Sequence, residues 1–307
     1  MLDYVSLAAV AQVVREGSFE RAARVLNVTP SAVSQRVKLL EERLGLTLIV
    51  RGTPCVATQA GQWLCSHVEQ VGMLEQELQR NLPALGALGA AAGPRLTLRI
   101  AVNADSLDTW FVDAMAAFGT APDSALLDLA IDDQDNTAEA LRDGRVLAAV
   151  TARAEPAQGC RSLPLGSMRY LATASPAYMQ RHFADGVTPA ALALAPSLVF
   201  NRKDGLQAQW LAQQGVADAS TPPRHWLPSP QAFVAASLAG VGWGMNPAAL
   251  VAEHLRAGRL VEVQAGTAIS VPLYWQHVRL EVPMLRRLTD AVVQASRVGL
   301  EAVRIRA

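Results

Sequence analysis

Residues 27–45, NVTPSAVSQRVKLLEERLG, constrain this chain more than any other stretch. Thr29 suits an N-cap, Pro30 the first helical position and Gly45 a left-handed C-terminal cap, so the spacing predicts a helix with a hard start and a hard stop. Val33, Val37, Leu40 and Leu44 recur at helical spacing and form one apolar stripe. The opposite edge carries Ser31, Ser34, Gln35 and Lys38. An edge of small hydroxyls, an amide and a lysine is either a solvated face of an interaction domain or a surface that reads a polar partner.

The preceding residues favour the second option. Residues 4–15 have the apolar period of a helix, and Gly17 ends it. Ser18 caps a second helix, SFERAARVLN, in which Phe19, Ala22, Ala23 and Leu26 face inward. Asn27 and Val28 form a tight turn into the third helix. Two short helices joined this way are a helix-turn-helix, whose second helix lies in the DNA major groove. Small hydroxyls then allow close approach to phosphates, Gln35 can pair with adenine, and Lys38 can reach guanine or phosphate. The helix N-terminus at Pro30 suits a backbone phosphate.

Charge and composition set limits. The 307 residues allow two or three domains, and 51% hydrophobic content supports a sizeable core. Lys and Arg total 27 against 27 Asp and Glu, so any nucleic-acid site must be local. Residues 1–60 carry seven basic and five acidic side chains. Cys55, Cys65 and Cys160 have no metal-ligand spacing and read as idle thiols in a reducing compartment. The N-terminus lacks a basic n-region and a cleavage site, so the expected location is the cytoplasm, with no membrane partner. Residues 232–252 carry no charge, but Gly240, Gly242, Gly244, Asn246 and Pro247 interrupt them; they read as helix, turn and helix in a soluble core.

Thr58 to Leu82 reads as one long helix. Leu64, Val68, Val71, Leu78 and Leu82, with Leu74 between, approach the 3.5-residue spacing of a coiled-coil seam, so pairing with a second copy is expected. Pro83 and the run ALGALGAAAGP mark a linker. From residue 95 strands alternate with helices: strands at 95–102, 125–131, 146–151, 169–174, 197–200 and 273–278, helices near 109–118, 136–142, 207–214, 231–239 and 283–302. That pattern predicts an α/β fold with a mostly parallel sheet in two lobes that the chain crosses twice.

The segment GSFERAARVLNVTPSAVSQRVKLLEERLG followed by LIVRGTPCVATQAG resembles the winged helix-turn-helix of LysR-type transcriptional regulators. FERAA, SAVSQRVKLLE, VRGTPCVAT, NADSLDTW (103–110), IDDQDNT (131–137), GRVLAAVT and LYWQH resemble the ArgP/LysG branch, activators of basic amino-acid exporters. Pro30 stands where that branch often has Gln. The resemblance implies a winged helix-turn-helix at 1–57 with Arg51 in the wing, a dimerisation helix and hinge at 58–94, and a two-lobed, periplasmic-binding-protein-like α/β effector domain at 95–307. One lobe would take 95–170 and 273–307, the other 171–272. It also implies homotetramers on double-stranded DNA, with RNA polymerase a candidate partner. The candidate DNA-contacting set is Ser18, Arg21, Thr29, Pro30, Ser31, Ser34, Gln35, Arg36, Lys38 and Arg51.

In an open α/β sheet, ligands bind beyond the carboxyl ends of strands. The first strand of the second half ends at Asn103, Asp105 and Ser106, with Thr109 opening a helix; hydroxyls and backbone N–H groups there suit a carboxylate. The second ends at Asp132, Asp133 and Asp135, a candidate cation site. Met245 and Asn246 would close over the ligand from the other lobe. These residues together fit L-lysine or L-arginine as effector, with no cofactor and no metal. A different metabolite, or a chromosome-structuring role, stays open. The five histidines show no HExxH spacing, and neither GxSxG nor a P-loop occurs, so no enzyme class is indicated. A transporter's solute-binding protein would share the lobes but not the helix-turn-helix.

Overall fold

The structure, a computed structural model, describes residues 2–82, 96–121, 124–131, 137–216 and 222–302. The N-terminal unit is built from α1 (Tyr4–Glu16), α2 (Phe19–Val25), α3 (Pro30–Leu44) and a two-stranded wing of β1 (Ile49–Val50) and β2 (Val56–Ala57). Each boundary has a local cause. Asp3, Ser18 and Thr29 accept backbone N–H groups as N-caps, and Gly17 and Gly45 end α1 and α3 in the left-handed region. Asn27, in the turn between α2 and α3, also has positive φ, a conformation Asn tolerates better than most residues. Leu7, Val10, Val13, Val33, Val37 and Leu40 fill the core. Fully burying such a side chain contributes about 1.5–3 kcal/mol. Leu44, expected in this stripe, is instead 39% exposed, because the cap at Gly45 turns the last helical turn out to solvent.

Helix α4 (Gln59–Asn81) follows, capped by Thr58. Its expected seam divides. Leu64 and Val68 pack on the helix-turn-helix core, whereas Leu74, Leu78 and Leu82 stay exposed.

The second half is an α/β unit around one sheet of seven strands. These are β3 (Thr97–Val102), β4 (Leu126–Ile131), β5 (Ala148–Thr151), β6 (Cys160–Ala174), β9 (Gly244–Pro247), β10 (Val261–Glu262) and β11 (Ile269–Val278), in the order β10-β6-β11-β5-β3-β4 with β9 on β6. The separate pair β7 (Ser197–Val199) and β8 (Arg224–Trp226) is parallel. The flanking helical segments are α5 (Ala104–Ser106), a π turn (Leu107–Phe111), α6 (Val112–Gly119), α7 (Thr137–Arg142), α8 (Pro176–His182), α9 (Pro189–Leu194), α10 (Leu206–Gln213), α11 (Pro230–Leu238), α12 (Ala248–Arg256) and α13 (Pro283–Gly299).

The main sheet is mixed, not mostly parallel. Only β3–β4 and β3–β5 pair in parallel, while β6 and β11 pair antiparallel with each other and with their other neighbours. The cause lies in the two long strands. β11 pairs β5 along residues 274–277, and β6 pairs β9 and β10 along residues 170–174, so these strands carry the chain from one set of neighbours to the other. Alternation of strand and helix reads as parallel, but a strand that crosses and another that returns must run antiparallel. The N-terminal part of β6 was not expected as strand because Pro164 and Gly166 interrupt it; the register shift at Leu273 and Tyr274 absorbs that irregularity. Trp110, Trp210, Trp243 and Trp275 are all buried in the main core, so Trp110 and Trp243 are packing residues.

Candidate DNA-reading face and effector site

On α3 the buried side is Val33, Val37 and Leu40. By the helical period, Ser31, Gln35 and Lys38 lie opposite it, and all three are exposed; Ser34 beside them is half-buried. Arg36 is half-buried and falls on the other flank, so it does not share the edge with Gln35. Thr29 Oγ1 accepts from Ala32 N at 3.2 Å and lies 3.0 Å from Ser31 Oγ, which fixes the start of the helix with exposed Pro30 beside it. Lys38 Nζ is 3.6 Å from Glu42 across one exposed turn, a contact weak enough to be exchanged for a phosphate. Ser18 caps α2 through Arg21 N, and the Arg21 side chain is exposed. The Arg51 guanidinium, in the loop of the wing, sits 5.1 Å from the Phe19 ring centroid, an arrangement that pre-orients its charge.

A cavity of about 560 Å³ opens at the carboxyl end of β3. Asn103, Ala104 and Asp105 form one wall, Tyr170 and Val271 its floor from β6 and β11, and Met245, Asn246 and Pro247 another wall from β9. The loop between β7 and α10 contributes Phe200, Asn201, Lys203, Asp204 and Gly205, and α10 contributes Leu206. Asn103 accepts from Ser106 N at 3.0 Å and so caps the helical turn that presents Asp105. Asp105 accepts a 2.6 Å hydrogen bond from the Tyr170 hydroxyl. Burial pushes the Asp105 carboxyl up to about 6; the Tyr170 hydrogen bond opposes that rise, while the charges of Asp204 and Asp108 add to it. Asp204 is held in turn by the backbone N–H groups of Phe200 and Leu206, both at 3.0 Å. The cavity therefore holds two fixed carboxylates, one of them poorly solvated.

The expected effector residues divide accordingly. Asn103, Asp105, Met245 and Asn246 line the cavity. Met245 and Asn246 belong to a sheet strand paired with β6, however, and not to the helix–turn–helix expected at 232–252. Asn246 is fully buried, and its Nδ2 donates to Thr173 Oγ1 and Ser237 Oγ. Ser106 and Thr109 do not line this cavity. Ser106 is fully buried, its hydroxyl without a hydrogen-bond partner among the described residues, and the Thr109 hydroxyl donates to the Asp105 backbone oxygen at 2.6 Å within its own helical turn. Asp132, Asp133 and Asp135 lie outside the described residues; Ile131, just before them, lines the cavity. The segment 200–206 was missed. Its signal was present: the polar run NRKDG directly follows the carboxyl end of a strand.

A winged helix-turn-helix, a long connecting helix and an α/β unit with a cleft at its strand ends define a ligand-responsive DNA-binding regulator. The chain belongs to the LysR family. Residues 5–62 match the model for the bacterial regulatory helix-turn-helix protein, lysR family, and residues 91–297 match that for the LysR substrate binding domain. The chain is 47% identical over 296 residues to the HTH-type transcriptional regulator LysG of Mycobacterium tuberculosis, covering 96% of this chain and 94% of that protein. It is similar in structure to the crystal structure of ArgP from Mycobacterium tuberculosis, with a TM-score of 0.79, 45% identity, and coverage of 99% and 100% of the two chains. Full-length LysG from Corynebacterium glutamicum with bound effector Arg matches with a TM-score of 0.69 and 36% identity, covering 98% of this chain and 100% of that one.

Proposed function

We propose that this chain is a transcriptional regulator that senses a basic amino acid, L-lysine or L-arginine, and controls an amino-acid exporter gene. The observation that carries the ligand class is the pair Asp105 and Asp204 in one cavity, the first raised in pKa partly by the charge of the second. Two carboxylates fixed near each other repel, and a cationic side chain or α-ammonium relieves both at once. Lys203 also lines the cavity and carries the sign of charge that a ligand carboxylate calls for. The names LysG and ArgP among the relatives, and the arginine in the Corynebacterium structure, support the same ligand class.

In this reading residues 1–57 read DNA, 58–94 pair the chains, and 95–307 hold the effector. Ser31, Ser34, Gln35 and Lys38 enter the major groove, Thr29 and Pro30 approach phosphates, and Ser18, Arg21, Arg36 and Arg51 contact the backbone around them. Two α4 helices pair through their exposed apolar side, and two dimers make the tetramer. The chain acts in the cytoplasm, on DNA, and catalyses nothing. Ligand in the cleft favours a closed arrangement of the lobes; its effect on DNA binding equals its difference in affinity for the two arrangements. A thermal-shift panel of the twenty amino acids tests the ligand class. Lysine and arginine should stand out, since a ligand at a hundred times its Kd adds about 2.7 kcal/mol to stability. A panel led by neutral or acidic amino acids would reject the ligand class and leave the DNA-reading role standing.

A further inference from the structure

Helix α4 is more than a bridge. Its Gly61 and Cys65 side packs on the helix-turn-helix; a Cβ at position 61 would collide with the Leu48 carbonyl oxygen. A second stripe, Gln62, Ser66, Glu69 and Met73, recurs at i, i+4, i+7 and i+11 and so shares one helix face. This stripe is seated on the chain's own effector domain. Gln62 Nε2 donates to Gly144 O at 3.3 Å. Gly144 has φ +70° and lies so close that an added Cβ would stand 2.9 Å from Ser66. Met73, 1% exposed, joins the same buried cluster as Leu98 and Ile100 of β3.

Glu69 sits in the middle of this seam at 9% exposure. The charges that act on it are Arg15 from α1, Arg99 from β3 and Asp128 from β4; Asp143 and Arg145, which flank Gly144 in the loop packed on this face, pair with each other at 3.8 Å. Arg99 is already bonded to Asp128 at 3.0 Å, and among the described residues Glu69 makes no hydrogen bond or ion pair. The adjacent Cys65 thiol, pushed up to about 12 by burial, stays neutral. Burial pushes the Glu69 carboxyl up to about 7, although Arg99 and Arg15 both pull it down. A buried carboxylate without a direct partner destabilises the contact that buries it.

We propose that the docking of α4 on its own effector domain is a reversible latch whose strength is set by the charge on Glu69. Neutral Glu69 keeps the seam closed; ionised Glu69 loosens it, because release returns the charge to water. The carboxyl is higher in pKa when docked than when released, so docking is strongest at low pH and weakens as pH rises toward about 7. Because α4 also carries the DNA-reading unit, opening the seam frees the effector domain to move relative to it.

Hydrogen exchange of full-length protein, followed in peptides spanning 62–73 and corrected for intrinsic rates, tests the latch. From pH 6 to pH 8, wild-type protection should fall about tenfold, the change expected for one carboxyl at about 7 when docked and at the ordinary glutamate value of 4.5 when released. Glu69→Gln should keep its protection at both pH values. Gly144→Ala, which forces a side chain into Ser66, should lose protection at both. Equal wild-type protection at the two pH values, a parallel fall in Glu69→Gln, or full protection in Gly144→Ala would each overturn the proposal.

Discussion

The hydroxyl of Tyr170, on the long strand β6, donates to the carboxylate of Asp105 at 2.6 Å. This bond ties the strand that crosses the effector domain to the helical turn at the end of β3. It also favours the ionised form of a carboxyl that burial drives toward neutrality. A cation entering the cavity needs that ionised form.

Effector affinity should therefore depend on pH. The Asp105 carboxyl, raised to about 6, is ionised above that value and must shed a proton to bind a cation below it. Lysine affinity should be flat from pH 7 to 8 and fall as pH drops through 6, approaching about tenfold per unit. Tyr170→Phe removes a bond that favours ionisation and should move the midpoint upward. Titrations at a series of pH values check both; an unchanged midpoint in Tyr170→Phe counts against the coupling.

Gly244 sets the shape of the cavity wall. A Cβ there would collide with the ring of Phe233, which lines the cavity. Gly244→Ala should displace the ring and weaken effector binding while leaving DNA affinity without effector unchanged. Parallel titrations of effector and DNA check this.

At the DNA face, Gln35→Ala should weaken the cognate site by about 1–3 kcal/mol and relax preference at one base pair. Arg51→Ala should weaken all sequences more evenly and flatten the salt dependence. Binding assays over a salt series and a set of single-base operator variants separate the two patterns. An unaltered base preference in Gln35→Ala would remove α3 from the groove.

Leu74, Leu78 and Leu82 are 48%, 49% and 51% exposed along α4 in the single chain. A double substitution Leu74→Asp and Leu78→Asp should convert dimers or tetramers to monomers at micromolar concentration, measured by light scattering, because two charges per chain would be buried in the seam. Undiminished assembly would place the pairing elsewhere.

The N-terminal half was legible because its signals are local. The caps Ser18 and Thr29, the Gly45 stop and the period of Val33, Val37 and Leu40 each act within one or two helical turns. The effector half was legible in class but not in detail. The antiparallel run of β6 against β11 joins residues about a hundred positions apart, and no local pattern reports it. Ser106 and Thr109 have the right chemistry for a carboxylate site, but Ser106 is fully buried and the Thr109 hydroxyl is taken by the Asp105 backbone oxygen, so neither lines the cavity. Asp105 could be expected from its place at the carboxyl end of a strand, but Asp204 meets it only through tertiary packing, so the second acidic member of the cavity could not.

The most direct measurement is calorimetric titration of wild type and Asp105→Asn with lysine, arginine and the neutral analogue norleucine. Wild type should bind lysine or arginine far more tightly than norleucine. Asp105→Asn should lose about 2–5 kcal/mol for the cationic ligands and little for norleucine. Equal affinity of the wild type for lysine and norleucine would contradict it, and so would full lysine affinity in Asp105→Asn.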